Sequence, residues 1–132
     1  MCKAGDILIV ENYKHGDKLI GRHSFVVIND KDGKISSLDY DMVCNVMSSF
    51  KNPQQREKKL KFRGNFEVKN GDLLTNPNNG KDGFVKTEQF YFFKKEKIDF
   101  EVIGRMNPEP FQKLLKFIEE LNIPIEAIVD NL

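Results

Sequence analysis

Short apolar runs, each closed by turn residues, fill the first 105 positions, and a single helical stripe follows them. That order constrains the fold more than any other feature of the chain. DILIVE (6–11) and FVVIN (25–29) are rich in β-branched residues and read as strands. NYKHGDKLIG between them is polar, carries glycine and reads as a loop. Asp32-Gly33 lies between apolar runs and signals a hairpin turn. The segment from Ile35 to Ser49 reads as strand broken near Asp39–Asp41. NFEV (65–68), DLLT (72–75), FVKTEQFYFF (84–93) and KIDFEVIGR (97–105) add further strands, with turn chemistry throughout 75–83.

The period then changes. Asn107 is a good N-cap, and Pro108 suits the first helical position. Phe111, Leu114, Leu115, Ile118 and Leu121 follow at i, i+3, i+4, i+7 and i+10, which is one helical face. Asn122 and Pro124 stop the helix, and IEAIVDNL reads as a last short turn. A small sheet that must avoid open edges curls toward a barrel. The expected fold is therefore mainly β (α+β): a small barrel of antiparallel strands, with the amphipathic helix near the C-terminus capping it. At 132 residues, with no linker or repeat, the chain reads as one domain over 1–132.

Several function classes lack support. Lys and Arg total 21 and Asp and Glu 20, so any attraction to a polyanion must be local. Cys2 and Cys44 have no CxxC spacing and read as reduced thiols of a cytoplasmic protein. No charged start and apolar run marks a leader, and no window is long and apolar enough to span a membrane. No phosphate-binding glycine motif, HExxH or ligand-spaced Cys/His cluster is present, so neither a cofactor nor a metal is expected.

What remains is local. Arg22-His23-Ser24 stands at the lip of an apolar strand. Ser48 and Ser49 end another. Lys51, Arg56, Lys58, Lys59, Lys61 and Arg63 stand against one acid, Glu57, in a stretch read as a basic loop with Phe62 near its end. Lys86-Thr87-Glu88-Gln89 is a further polar cluster. Taken singly, each has a plain reading: a solvated arginine, a half-buried histidine, a strand end, a solvated loop.

Their order carries more. GDILIVEN, then GRHSFVVIND, resembles the opening of the MazF/PemK family of toxin endoribonucleases. There a strand beginning Gly-Asp-Ile precedes a loop, and an Arg-Pro pair leads into an apolar strand. Gly5-Asp6-Ile7 and Arg22 with the run 25–30 occupy those places. VMSSF (46–50) falls where the family has a strand ending in a catalytic Thr or Ser. GNFEV (64–68) resembles a Pro-Thr-His-Val-Glu segment, DGFVKTEQF keeps a Glu-Gln pair at Glu88-Gln89, and Ile103-Gly104 precedes the closing helix. The likeness spans nearly the whole chain. Three departures mark a divergent branch: His23 stands for the proline, Tyr91-Phe92 for an Arg-Thr pair, and a hairpin's worth of residues is added around 31–42.

The resemblance implies an SH3-like barrel, a homodimer, an antitoxin protein partner, and metal-independent cleavage of single-stranded RNA. In that reaction the ribose 2′-OH attacks phosphorus, leaving a 2′,3′-cyclic phosphate and a 5′-OH. It assigns Arg22 to the phosphate and one of Ser48 and Ser49 to the catalytic hydroxyl. A guanidinium is always charged and forks onto two phosphate oxygens. His23 is this chain's own addition. Its ordinary pKa of about 6.5 suits a base or an acid, but alternation along a strand would send it to the face opposite Arg22. His15, in the first loop, is a weaker candidate. Lys51, Arg56, Lys58, Lys59, Lys61 and Arg63 would track the strand while Phe50 or Phe62 stacks on a base. Two other readings stand beside this one. One is a non-catalytic SH3-like module that binds protein or nucleic acid. The other is a gyrase-directed relative, CcdB, whose Trp-Gly-x-Ile ending is absent from the tail VDNL.

Overall fold

The computed structural model describes residues 2–132. Thirteen strands form: β1 (Asp6–Glu11), β2 (Tyr13–His15), β3 (Lys18–Ile20), β4 (His23–Asn29), β5 (Gly33–Ile35), β6 (Leu38–Tyr40), β7 (Met42–Ser49), β8 (Asn65–Val68), β9 (Leu73–Thr75), β10 (Gly83–Lys86), β11 (Gln89–Phe93), β12 (Asp99–Met106) and β13 (Glu126–Ile128). Among the described residues there are two α-helices, α1 (Pro53–Leu60) and α2 (Pro108–Glu119). The main sheet runs β13-β11-β7-β4-β1-β12-β9, with β10 on β7 and β8 on β10. It is a curled sheet, antiparallel except for the β11–β13 pair.

The sheet is buried on both faces, which is why its central strands are continuously apolar and do not alternate. One core holds Leu8, Val10, Tyr13, Phe25, Val27, Met42, Cys44, Tyr91 and Phe93. On the other side Ile7, Val26, Met47, Val85 and Met106 pack with Phe111 and Leu114 of α2. The predicted helical stripe is thus the face that closes the second core, with Leu115 and Ile118 at its margin. Burying such side chains is worth about 1.5–3 kcal/mol each.

Four local readings are corrected. The first polar loop is a hairpin, β2–β3, pinned by the buried Tyr13. The second hairpin, β5–β6, turns at Ser36-Ser37, both at positive φ, and not at Asp32-Gly33. Gly33 instead faces Tyr40, whose hydroxyl would lie 2.4 Å from an added Cβ. FVKTEQFYFF is two strands, because Thr87 donates both its N–H and its hydroxyl to the Gly64 carbonyl, at 2.9 and 2.6 Å. That anchor lets β10 pair with the end of β7 and β11 with its beginning. The last apolar segment is a strand, β13, and a side-chain clasp secures the tail beyond it. Asn131 accepts the Lys14 N–H at 2.7 Å and donates to the Lys14 carbonyl at 2.9 Å.

A fifth correction matters most for the site. The basic stretch is not a loop but carries α1. Asn52 caps it by accepting the Gln55 N–H at 2.7 Å, and Pro53 opens the first turn. Asn-Pro is the same signal that Asn107-Pro108 gives for α2. α1 buries no residue, so its polar composition concealed it from a hydrophobic pattern.

Candidate nucleic-acid interface

A groove of about 460 Å³ opens beside β4, β7 and β10. Arg22, His23 and Ser24 reach it from one side, Ser48 and Ser49 from the end of β7, and Lys51, Gln55 and Lys59 from α1 and its approach. Lys86 closes the set from β10, and Ile9, Met47 and Phe84 supply apolar surface. Arg22, Lys51, Lys59 and Lys86 are four cations, and none of the described residues lining the groove is acidic. In a chain with nearly balanced charge, this is a locally basic surface.

The elements explain the arrangement. β4 begins at His23, so Arg22 precedes the strand and strand alternation does not separate the two. Both therefore line the groove. The Arg22 side chain is 62% exposed, and its one ion pair, to Glu11 at 3.8 Å, is long and solvated. Such a pair is worth about 0–1 kcal/mol, so it yields readily to a phosphate. Gln55 and Lys59 stand one turn apart on α1 and share a face. The helix is fixed to β8 by Arg56 Nε donating to Glu67 at 2.8 Å and by Asn65 donating to the Lys59 carbonyl at 2.8 Å. Gly83 lies opposite Ser49, and an added Cβ there would meet the Ser48 carbonyl at 2.2 Å. That close approach sets the two serines between the groove and a smaller recess of about 90 Å³ under loop 76–82. Asn79 donates to the Ser49 hydroxyl across it at 3.5 Å.

His23 is exposed on the groove side but tethered. Its Nδ1 lies 3.1 Å from the Tyr13 hydroxyl, and the two rings meet edge to face. Burial lowers its pKa below the ordinary histidine value, and the Lys86 ammonium lowers it further. The ring is accordingly neutral at neutral pH. His15 lies on the far side of the aromatic core, where it contacts Glu126 at 3.1 Å and the Tyr91 hydroxyl at 3.2 Å. The groove does not include it.

Several expected residues are elsewhere. Arg56 is spent on Glu67. Phe62 and Arg63 line a separate recess against Phe117 and Leu121. Lys58 and Lys61 are exposed but do not line the groove. Phe50 stacks on Phe84 at 5.2 Å. Helical periodicity is the reason for this division: treating 51–63 as one loop gives every cation the same access, whereas a helix presents only one face. Gln55 joins the groove without having been noticed in the sequence, and Ser24 and Lys86 join it from the clusters Arg22-His23-Ser24 and Lys86-Thr87-Glu88-Gln89 without an assigned role. Lys86 stood in a cluster noticed in the sequence but carried no signal of its own.

Among the described residues no group of three or more His, Cys, Asp or Glu is placed to hold a metal ion. Cys2 and Cys44 are free and buried. No described helix is long and apolar enough to cross a membrane. The chain matches no family model, no curated protein and no solved structure.

Proposed function

We propose that this protein is a metal-independent endoribonuclease acting on single-stranded RNA, of the toxin type that its sequence resembles. The observation that carries the reading is the groove. It places an exposed guanidinium, a neutral histidine, two serine hydroxyls and three lysines around one space free of lining acids. A phosphodiester bound there meets donors suited to its oxygens. Arg22 takes two of them, and Ser48 or Ser49 adds a hydroxyl hydrogen bond. Lys51, Lys59 and Lys86 hold the flanking charge.

His23, held neutral, accepts the ribose 2′ proton. The 2′-oxygen attacks phosphorus, the bond to the 5′-oxygen breaks, and that oxygen takes a proton from water. The imidazolium then returns its proton to solvent. The cyclic phosphate remains on one fragment and a 5′-OH on the other. In this reading the curled sheet is an SH3-like barrel, the working form is a homodimer, and an antitoxin protein covers the groove when activity must be silenced.

The test uses matched oligonucleotides in EDTA. An unstructured RNA is cut, and the DNA of the same sequence is bound but not cut, because it lacks the attacking hydroxyl. Binding of both without cleavage of either would favour the non-catalytic module. Binding of neither would remove nucleic acid from the account.

A further inference from the structure

The recess under loop 76–82, about 90 Å³ in volume, is continuous with the basic groove. Ser24, Met47, Ser48, Ser49 and Phe84 line both, so the two serines stand at its mouth. Its inner wall is apolar. Ile7 and Val68 are each 1% exposed there, with Leu73 and Ile103 beside them. Its rim is polar and comes from Asn70, Thr75, Asn79 and Lys81. None of the described residues lining it is acidic.

The loop that roofs the recess is held at both ends. Asn76 donates its N–H to the Ile103 carbonyl at 2.7 Å. At the other end the Asp82 carbonyl accepts the Phe50 N–H at 3.1 Å, and its carboxylate accepts the Asn70 N–H at 2.8 Å. That bond fixes Asn70 by its backbone and leaves the side-chain amide to the recess. The bond from Asn79 to the Ser49 hydroxyl, at 3.5 Å, is long and yields to a better acceptor.

An apolar wall rimmed by hydrogen-bond donors fits a flat heterocycle with carbonyl oxygens on its edge. Size and attachment choose among the bases. A cavity of about 150 Å³ holds a whole benzene ring. This recess is smaller and open toward the groove, so it takes the edge of one six-membered ring. Uracil and cytosine carry their sugar on that ring. A purine carries its sugar on the second ring, which would hold the phosphate one ring's width farther from Arg22 and the serines.

We infer that this recess seats a pyrimidine base of the bound strand, next to the phosphate held by Arg22 and the serines, and so gives the groove a base preference. Asn70 and Lys81 donate to the ring's edge, and Val68, Leu73 and Ile103 pack on its faces. The inference rests on the nucleic-acid reading of the groove and not on cleavage.

The test uses 2′-deoxy hexamers of uridine, cytidine and adenosine, which cannot be cut. The two pyrimidine hexamers should bind about tenfold tighter than the adenosine hexamer, the factor that two hydrogen bonds of ordinary net strength supply. Val68, Leu73 and Ile103 line the recess and not the groove, so their methyl NMR signals should shift with the pyrimidine hexamers and not with the purine one. Thr75→Leu fills the recess from β9 and should bring the affinity ratio toward one. Lys81→Ala, on the exposed loop, should lower the ratio too, and it serves if Thr75→Leu fails to fold. Lys59→Ala should weaken all three hexamers and keep the ratio. Equal affinities in the wild type, a ratio that persists in a folded Thr75→Leu or in Lys81→Ala, or unmoved methyl signals would overturn the inference while leaving the groove reading in place. Binding of no hexamer would overturn both.

Discussion

The Asn52 side-chain oxygen accepts the Gln55 N–H at 2.7 Å, and the Gln55 side chain reaches back to accept the Lys51 N–H at the same distance. This reciprocal cap starts α1 and fixes Lys51, Gln55 and Lys59 relative to one another. Asn52→Ala removes one arm of it and is expected to cost about 0.5–2 kcal/mol. Urea denaturation measures that loss. RNA binding should weaken as well, because the helix that carries two groove residues frays from its first turn.

Lys59 and Lys58 are adjacent in sequence but only Lys59 lines the groove. Lys59→Ala should weaken RNA binding and reduce the slope of log affinity against log salt by about 0.7, the value for one contact to a single strand. Lys58→Ala should leave the slope unchanged. A titration with a 2′-deoxy oligonucleotide at several salt concentrations separates the two.

Arg56 is basic, yet its guanidinium is held by Glu67. Arg56→Ala should lower stability by about 0.2–1 kcal/mol, as for other partly exposed ion pairs. Its effect on the salt slope should be nil, in contrast to Lys59→Ala.

Gly83 leaves no room for a side chain against the Ser48 carbonyl. Gly83→Ala must push β7 and β10 apart at the two serines, at a cost of about 1–3 kcal/mol. Thermal unfolding reads the stability. Cleavage should fall by more than the folded fraction does, since the serines are displaced from the groove.

His23 is held below its ordinary pKa by burial first and by Lys86 second. The unfolded chain therefore binds this proton more readily than the folded one. The stability contribution is full above the unfolded value of about 6.5 and is lost as the pH falls below it. Activity follows the same direction: a neutral base loses function in acid, with a midpoint below about 6.5. His23→Gln should abolish that acid limb in both the rate profile and the stability profile.

The strands of the core were legible because they are apolar on both faces and need no alternation to be seen. The run 6–11 and the segment 42–49 announce themselves this way. α2 was legible because its apolar stripe closes a core. α1 was not, because a helix lying wholly on the surface has no stripe, and only Asn52-Pro53 marked its start. β13 escaped notice for another reason. Its place is fixed by parallel pairing with β11 and by the Asn131 clasp on Lys14, contacts far apart in sequence. At the site, Arg22, His23, Ser48 and Ser49 line one groove, and His23 does so against the alternation expected of a strand because β4 begins only at His23. Lys86 needed the Thr87 anchor, which no local pattern reveals. The division between Lys59, which faces the groove, and Lys58, which does not, became visible only once the stretch was known to be helical.

The most direct measurement sets wild-type protein beside Arg22→Ala, with a long unstructured RNA in EDTA, and maps the ends of any fragments. Arg22 is exposed and makes only a loose ion pair, so its loss should leave the fold intact. The account predicts cleavage by the wild type, with 2′,3′-cyclic phosphate and 5′-OH ends, and its loss in the folded variant. Equal cleavage by both proteins, or a folded wild type that leaves a broad set of RNAs whole, would contradict it.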